Sequence, residues 1–128
     1  MAKILIAEDE RDIRDLIAFT LGFAGHQVIT SNNGIEACQK ALSMAPDLIL
    51  LDVRMPRMSG FEACQKLKAQ QPTKDIPIVF LSAKGQESEV KAGIDCGAEE
   101  YILKPFSPEK LTERVNSILA RSRKQPTG

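Results

Sequence analysis

Asp47-Leu48-Ile49-Leu50-Leu51-Asp52-Val53-Arg54-Met55-Pro56 is the stretch that decides the fold. Leu48 to Leu51 are four apolar residues in a row, with no alternation of polar and apolar. A strand built from them is covered on both faces, which is the position of a central strand in a parallel sheet. The run ends at once in a carboxylate, Asp52, and a loop through Met55-Pro56 follows.

Outward from this strand the chain alternates strand and helix. On the N-terminal side, Lys3 to Ala7 is a short apolar run closed by Glu8 and Asp9. Ile13, Leu16, Ile17, Thr20 and Leu21 then recur at helical spacing, with a stop near Gly25. Val28-Ile29-Thr30 is β-branched and strand-like. Asn33 and Glu36 have the spacing of a capping box, and the helix they open is expected to turn Ile35, Cys38, Ala41 and Leu42 inward before Pro46. On the C-terminal side, Ser59 and Glu62 form a second capping box ahead of a third helix. Ile76 to Leu81 is the fourth strand. A fourth helix is expected over Glu87 to Cys96, with Val90 and Ile94 toward the core. Tyr101-Ile102-Leu103 is the fifth strand. Ser107 caps a last helix with Pro108 at its first position, and Leu111, Val115, Ile118 and Leu119 face the sheet. Five such units imply a parallel α/β sheet with right-handed crossovers and helices on both faces. The domain is read as residues 1–121, followed by a polar tail over 122–128.

Composition narrows the function. The 128 residues carry 17 basic and 17 acidic side chains, so bulk charge gives no basis for direct nucleic-acid binding or for a charged membrane surface. No apolar run approaches the roughly 20 residues of a spanning helix, and the expected location is the cytoplasm. Cys38, Cys64 and Cys96 are widely spaced, form no metal-ligand pattern, and suit a reducing compartment; the first two read as small core side chains. The lone His26 reads as a surface residue.

The polar residues that close the strands are the candidates for function. Ligands of open parallel sheets bind at the carboxyl ends of the strands. Glu8 and Asp9 end the first strand, Asp52 the third, Ser82 the fourth, and Lys104 follows the fifth. A strand must end somewhere, so Ser82 or Lys104 alone carries little weight; three acids, a hydroxyl and a lysine on one rim carry more. Crowded carboxylates need a compensating cation, and an all-oxygen site with room for water suits Mg²⁺ or Mn²⁺. Asp52 beside such an ion is a candidate nucleophile toward phosphorus, with Lys104 and Ser82 donating to phosphoryl oxygens.

These residues resemble a known family. Ile4-Leu5-Ile6-Ala7-Glu8-Asp9-Glu10 resembles the opening of response-regulator receiver domains, and Asp47 to Pro56 followed by Gly60 resembles their phosphorylation segment. Leu81-Ser82-Ala83 and Gly97-Ala98-Glu99-Glu100-Tyr101-Ile102-Leu103-Lys104-Pro105-Phe106 resemble the last two signatures. The likeness covers residues 3–121. It implies a flavodoxin-like, CheY-like doubly wound sheet of five strands in the order 2-1-3-4-5 with five helices.

By resemblance, Asp52 takes a phosphoryl group from a sensor histidine kinase, a phosphotransfer protein or a small acyl phosphate. The metal would be held by Asp9, Asp52 and the backbone carbonyl of Arg54, with Glu8 acting through a water. Lys104 would contact the phosphoryl group, with a cis bond to Pro105. Ser82 would be the switch hydroxyl and Tyr101 its coupled aromatic. Arg54 and Lys84 would tune the phosphoryl lifetime. Such a domain catalyses its own phosphorylation and dephosphorylation and is no enzyme toward an external substrate. Its output is a changed surface on the fourth helix, fifth strand and fifth helix, including Lys91, Glu100 and Arg114, for an effector protein or a second copy of the chain.

Other classes fit less well. Aspartyl-nucleophile phosphatases need an acid two residues after the nucleophile, where this chain has Arg54. Phosphate-binding loops of the G-x-x-x-x-G-K-[ST] and G-x-G-x-x-G types are absent. A flavodoxin-type carrier would not put acids after its first strand. The alternative left open is a receiver-shaped docking module that is never phosphorylated.

Overall fold

The computed structural model describes residues 2–83 and 87–124. Ten elements alternate: β1 (Lys3–Ala7), α1 (Arg11–Phe23), β2 (Gln27–Ser31), α2 (Gly34–Met44), β3 (Leu48–Asp52), α3 (Gly60–Lys68), β4 (Ile78–Ser82), α4 (Glu87–Asp95), β5 (Glu100–Leu103) and α5 (Pro108–Lys124). The strands pair in parallel in the order β2-β1-β3-β4-β5, as expected. β3 is central, and all five of its residues are buried.

Its side chains alternate between two cores, because successive residues of a strand point to opposite faces. Leu48 and Leu50 join Ile4, Ile6, Val79 and Leu81 beneath Ile17, Leu21, Leu111, Val115 and Ile118, between the sheet and α1 with α5. Ile49 and Leu51 join Leu5, Ile78 and Phe80 against Ala37, Cys38, Ala41, Ala63, Cys64 and Leu67 of α2 and α3. Both faces of the sheet are therefore dry, which is why the β3 sequence has no polar alternation.

Local signals set the helix starts. Ser59 accepts from the Glu62 N–H while the Glu62 carboxylate accepts from the Ser59 N–H, a complete capping box. Asn33 accepts from the Glu36 N–H, but Glu36 pairs with Lys40 instead of reaching back. Ser107 Oγ accepts from the Lys110 N–H.

Several expected orientations are corrected. Ile35 and Leu42 are 38% and 46% exposed, because α2 lies on the sheet through the smaller Ala37, Cys38 and Ala41. Ile94 is 60% exposed. α4 meets the sheet through Gly93, where a Cβ would come within 2.9 Å of the Phe80 ring, and the next residue lies about 100° further round the helix. His26 is half-buried rather than a surface residue: its Nδ1 accepts from the Ala2 N–H at 3.2 Å, so its Nε2–H donates to Asn116 Oδ1 at 2.9 Å. α5 continues to Lys124, three residues into the segment read as tail; residues 125–128 lie outside the described residues.

Candidate functional site

The rim forms because the register is parallel. Ala7 pairs with Leu51 and Asp52 with Leu81, which brings Glu8, Asp52 and Ser82 to the same end of neighbouring strands. Ser82 pairs with Leu103, and its carbonyl accepts from the Lys104 N–H at 2.7 Å. Residues 96 apart in sequence, Glu8 and Lys104, thereby meet at 2.6 Å.

Carboxylate oxygens of Glu8, Asp9 and Asp52 all lie within 4.8 Å of one another. Glu8 is fully buried, Asp52 nearly so, and Asp9 is exposed. Lys104 Nζ lies 2.6 Å from Glu8 Oε1 and 3.3 Å from Asp52 Oδ1. Asp9, Asp52, Arg54, Ser82 and Lys104 line one cavity of about 250 Å³. The resemblance's described candidate residues are thus together; Tyr101, one step back on β5, reaches the rim through its hydroxyl, which shares a Glu89 carboxylate oxygen with Ser82. Lys84 falls outside the described residues. The Lys104–Pro105 peptide bond is cis.

The backbone beneath Asp52 is held by a close approach that a side chain would block. Gly60, the first residue of α3, stands so near β3 that a Cβ there would be 2.3 Å from the Asp52 carbonyl oxygen. The Gly60 N–H donates to the Val53 carbonyl at 2.9 Å, and the Val53 N–H to Leu81. The intervening loop turns at Arg57, with φ of 69°, where the Met58 N–H closes onto the Pro56 carbonyl at 2.7 Å.

The electrostatics favour a cation. Burial raises the Asp52 pKa to about 7, helped by a hydrogen bond with Glu8 and by its charge, against the opposing pull of Lys104. Burial acts to lower the Lys104 pKa, but its bond to Glu8 and the charges of Asp52 and Glu8 outweigh that and raise it. Three acids facing one lysine leave two formal negative charges, which matches one divalent ion. The donors are all oxygen and the cavity leaves room for water, so the residues fit Mg²⁺ or Mn²⁺.

One residue at this site escaped the sequence reading. Glu89 of α4 accepts from Ser82 Oγ at 2.5 Å and from the Tyr101 hydroxyl. Tyr101 packs at 6.5 Å, centroid to centroid, from Phe80, which in turn meets Phe61 edge-on. Burial and the bond to Glu89 push the Tyr101 phenol up to about 12. Nothing in the local sequence distinguishes Glu89 from the other acids of α4; its contacts depend on how α4 is docked.

A parallel doubly wound sheet with an acidic, lysine-bearing rim at the carboxyl ends of its strands defines an α/β fold with a candidate cation site. Known proteins place it more closely. The response regulator receiver domain family matches residues 4–116, and the chain belongs to that family. The alkaline phosphatase synthesis transcriptional regulatory protein PhoP of Bacillus subtilis is 42% identical over 120 residues, covering 94% of this chain and 49% of that protein. The phosphate regulon transcriptional regulatory protein PhoB of Pseudomonas aeruginosa is 43% identical over 119 residues, covering 93% and 52%. The chain spans about half the length of the curated relatives it matches. Among solved structures, the chemotaxis response regulator CheY4 of Vibrio cholerae superposes with a TM-score of 0.88 at 36% identity, covering 92% of this chain and 98% of that one. The chain is therefore a receiver domain of the two-component response-regulator type. Among the described residues, no helix is long and apolar enough to cross a membrane.

Proposed function

We propose that Asp52 is the phosphoryl acceptor of this receiver, supplied by a sensor histidine kinase, a phosphotransfer protein or a small acyl phosphate. The observation that carries this reading is the meeting of Glu8, Asp9 and Asp52 within 4.8 Å, with Lys104 bonded to two of them. A Mg²⁺ or Mn²⁺ ion held by Asp9, Asp52 and the Arg54 carbonyl, with Glu8 behind a water, would neutralise the incoming phosphoryl charge.

The chain's own residues do the rest. An Asp52 carboxylate oxygen attacks phosphorus in line; the new O–P bond forms as the P–N bond of a phosphohistidine breaks, and the departing imidazole nitrogen keeps the electron pair. Lys104, fixed by Glu8, follows the developing charge on the phosphoryl oxygens. Ser82 donates its hydroxyl to another of them. No general base is needed, because Asp52 attacks as a carboxylate. Hydrolysis of the acyl phosphate, slowed by Arg54 and tuned by Lys84, resets the domain without an external substrate being turned over.

The output is a change of surface. Drawing Ser82 toward the phosphoryl group alters the packing of Tyr101, and both border α4, β5 and α5. On that face Arg114 and Arg121 both pair with Glu100, and Lys91 is exposed. An effector protein or a second copy of the chain would dock there, in the cytoplasm. Incubation with acetyl phosphate and Mg²⁺, followed by intact-mass measurement, tests the reading. The wild type should gain one phosphoryl group and Asp52→Asn none. A wild type that gains no mass is a docking module.

A further inference from the structure

Glu89 has so far been given no function. Its Oε1 takes hydrogen bonds from two hydroxyls on neighbouring strands: Ser82 at the end of β4 and Tyr101 within β5. It also lines, with Asp9, Arg54, Met55 and Phe61, a cavity on the α3–α4 side of the rim. One carboxylate oxygen therefore ties α4 to the part of the site where a phosphoryl group would arrive.

From this arrangement we infer that Glu89 is a latch for the unphosphorylated state, a positioning residue that holds the Ser82 hydroxyl and gives it up when the domain switches. The inference rests on the reading of Asp52 as acceptor and Ser82 as switch hydroxyl, and it names what Ser82 must leave. A hydroxyl has one proton to donate. The Glu89 carboxylate and a phosphoryl group on Asp52 are both anions, and they compete for that proton. When the phosphoryl group wins, Glu89 loses a charge-assisted hydrogen bond. It also finds a new negative charge nearby, in a place that is only half open to water. Both effects push Glu89 outward, and α4 with it.

The helix is built to respond at one end. Its later part is seated sterically, through Gly93 on the Phe80 ring. Its earlier part is seated by the polar contact at Glu89. Loss of the polar attachment loosens that end, while the Gly93 contact persists. The same carboxylate holds the Tyr101 phenol, so its release withdraws that bond from the aromatic as the helix moves. Phosphorylation, Tyr101 and α4 are coupled here through a side chain that belongs to α4 itself.

Tyr101 is the chain's one tyrosine and there is no tryptophan, so intrinsic emission reports its phenol directly. A hydrogen-bonded carboxylate quenches that emission by accepting the phenolic proton in the excited state. The test uses the full chain with acetyl phosphate and Mg²⁺, reading phosphoryl mass and Tyr101 emission together. Glu89→Gln keeps shape and removes charge. It should speed phosphorylation roughly five- to tenfold, the difference between a charged and a neutral acceptor for the Ser82 hydroxyl. It should also brighten Tyr101. Phosphorylation of the wild type should brighten Tyr101 in the same sense, while Asp52→Asn shows no change with acetyl phosphate. In a Ser82→Ala background the rate gain from Glu89→Gln should vanish while the emission change persists, a pattern that a purely structural glutamate would not give. If the wild type is phosphorylated but Glu89→Gln matches it in rate and emission, the latch is overturned and the acceptor reading stands. If the wild type gains no phosphoryl group, both fall.

Discussion

In the absence of divalent metal, Asp52→Asn should stabilise the protein, and the gain should grow with pH. The Asp52 pKa is raised from 3.8 to about 7, first by burial and then by Glu8. Between those values the folded state keeps a proton that the unfolded chain has lost. Unfolding free energy therefore falls as pH rises through that window and stays at its lower level above it. A shift of about three units at about 1.36 kcal/mol each sets a ceiling of about 4 kcal/mol on this cost near pH 8. Near pH 4 most of the difference is gone. Asparagine keeps the shape of the side chain and an oxygen for Lys104, which in any case retains Glu8 at 2.6 Å. Urea denaturation followed by circular dichroism, in chelator, reads the effect. With a slope of about 2 kcal/mol per molar, the midpoint should rise by roughly 1 to 2 M near pH 8 and hardly at all near pH 4. Added Mg²⁺ should then raise the wild-type midpoint and leave the variant nearly unmoved, because ligation of the folded state adds stability by mass action. A variant that is less stable near pH 8, or whose gain is the same at both pH values, refutes the electrostatic account of the rim.

Three further expectations concern separate features. Gly60→Ala drives a Cβ to 2.3 Å from the Asp52 carbonyl oxygen; it should cost about 3 kcal/mol and lower the phosphorylation rate, checked by denaturation and by mass. Ala45 closes α2 in the left-handed region at φ of 47°, so Ala45→Gly should raise stability by about 0.5–1 kcal/mol, read as an upward shift in Tm. Arg54→Ala should shorten the life of the acyl phosphate by opening it to water, measured as loss of phosphoryl mass after the donor is removed; an unchanged rate removes Arg54 from that role.

Much of this molecule is legible along the chain because its signals are local. Ser59 and Glu62 cap α3 from three residues apart, and Leu48 to Leu51 announce a strand dry on both faces. The strand ends are legible for the same reason: an apolar run that stops at Glu8, Asp52 or Ser82 marks its own boundary. Helix orientation was less legible. Hydrophobicity favoured Ile35, Leu42 and Ile94 as inward residues, whereas close packing against the sheet selected Ala37, Ala41 and Gly93. Close approach of a helix to a sheet rewards small side chains, and a reading by apolarity alone is blind to size.

The sequence by itself determined the order of elements, the parallel sheet and the set of polar residues on its rim, because each follows from periodicity, caps and strand ends within a few residues. The tertiary structure alone decided the contacts: that Lys104 reaches Glu8 as well as Asp52, that Gly60 lies against the Asp52 carbonyl, and that Glu89 holds Ser82 and Tyr101. Those pairs join residues up to 96 positions apart. They exist only once strand register and helix docking have set their distances, and no local pattern encodes a distance between elements.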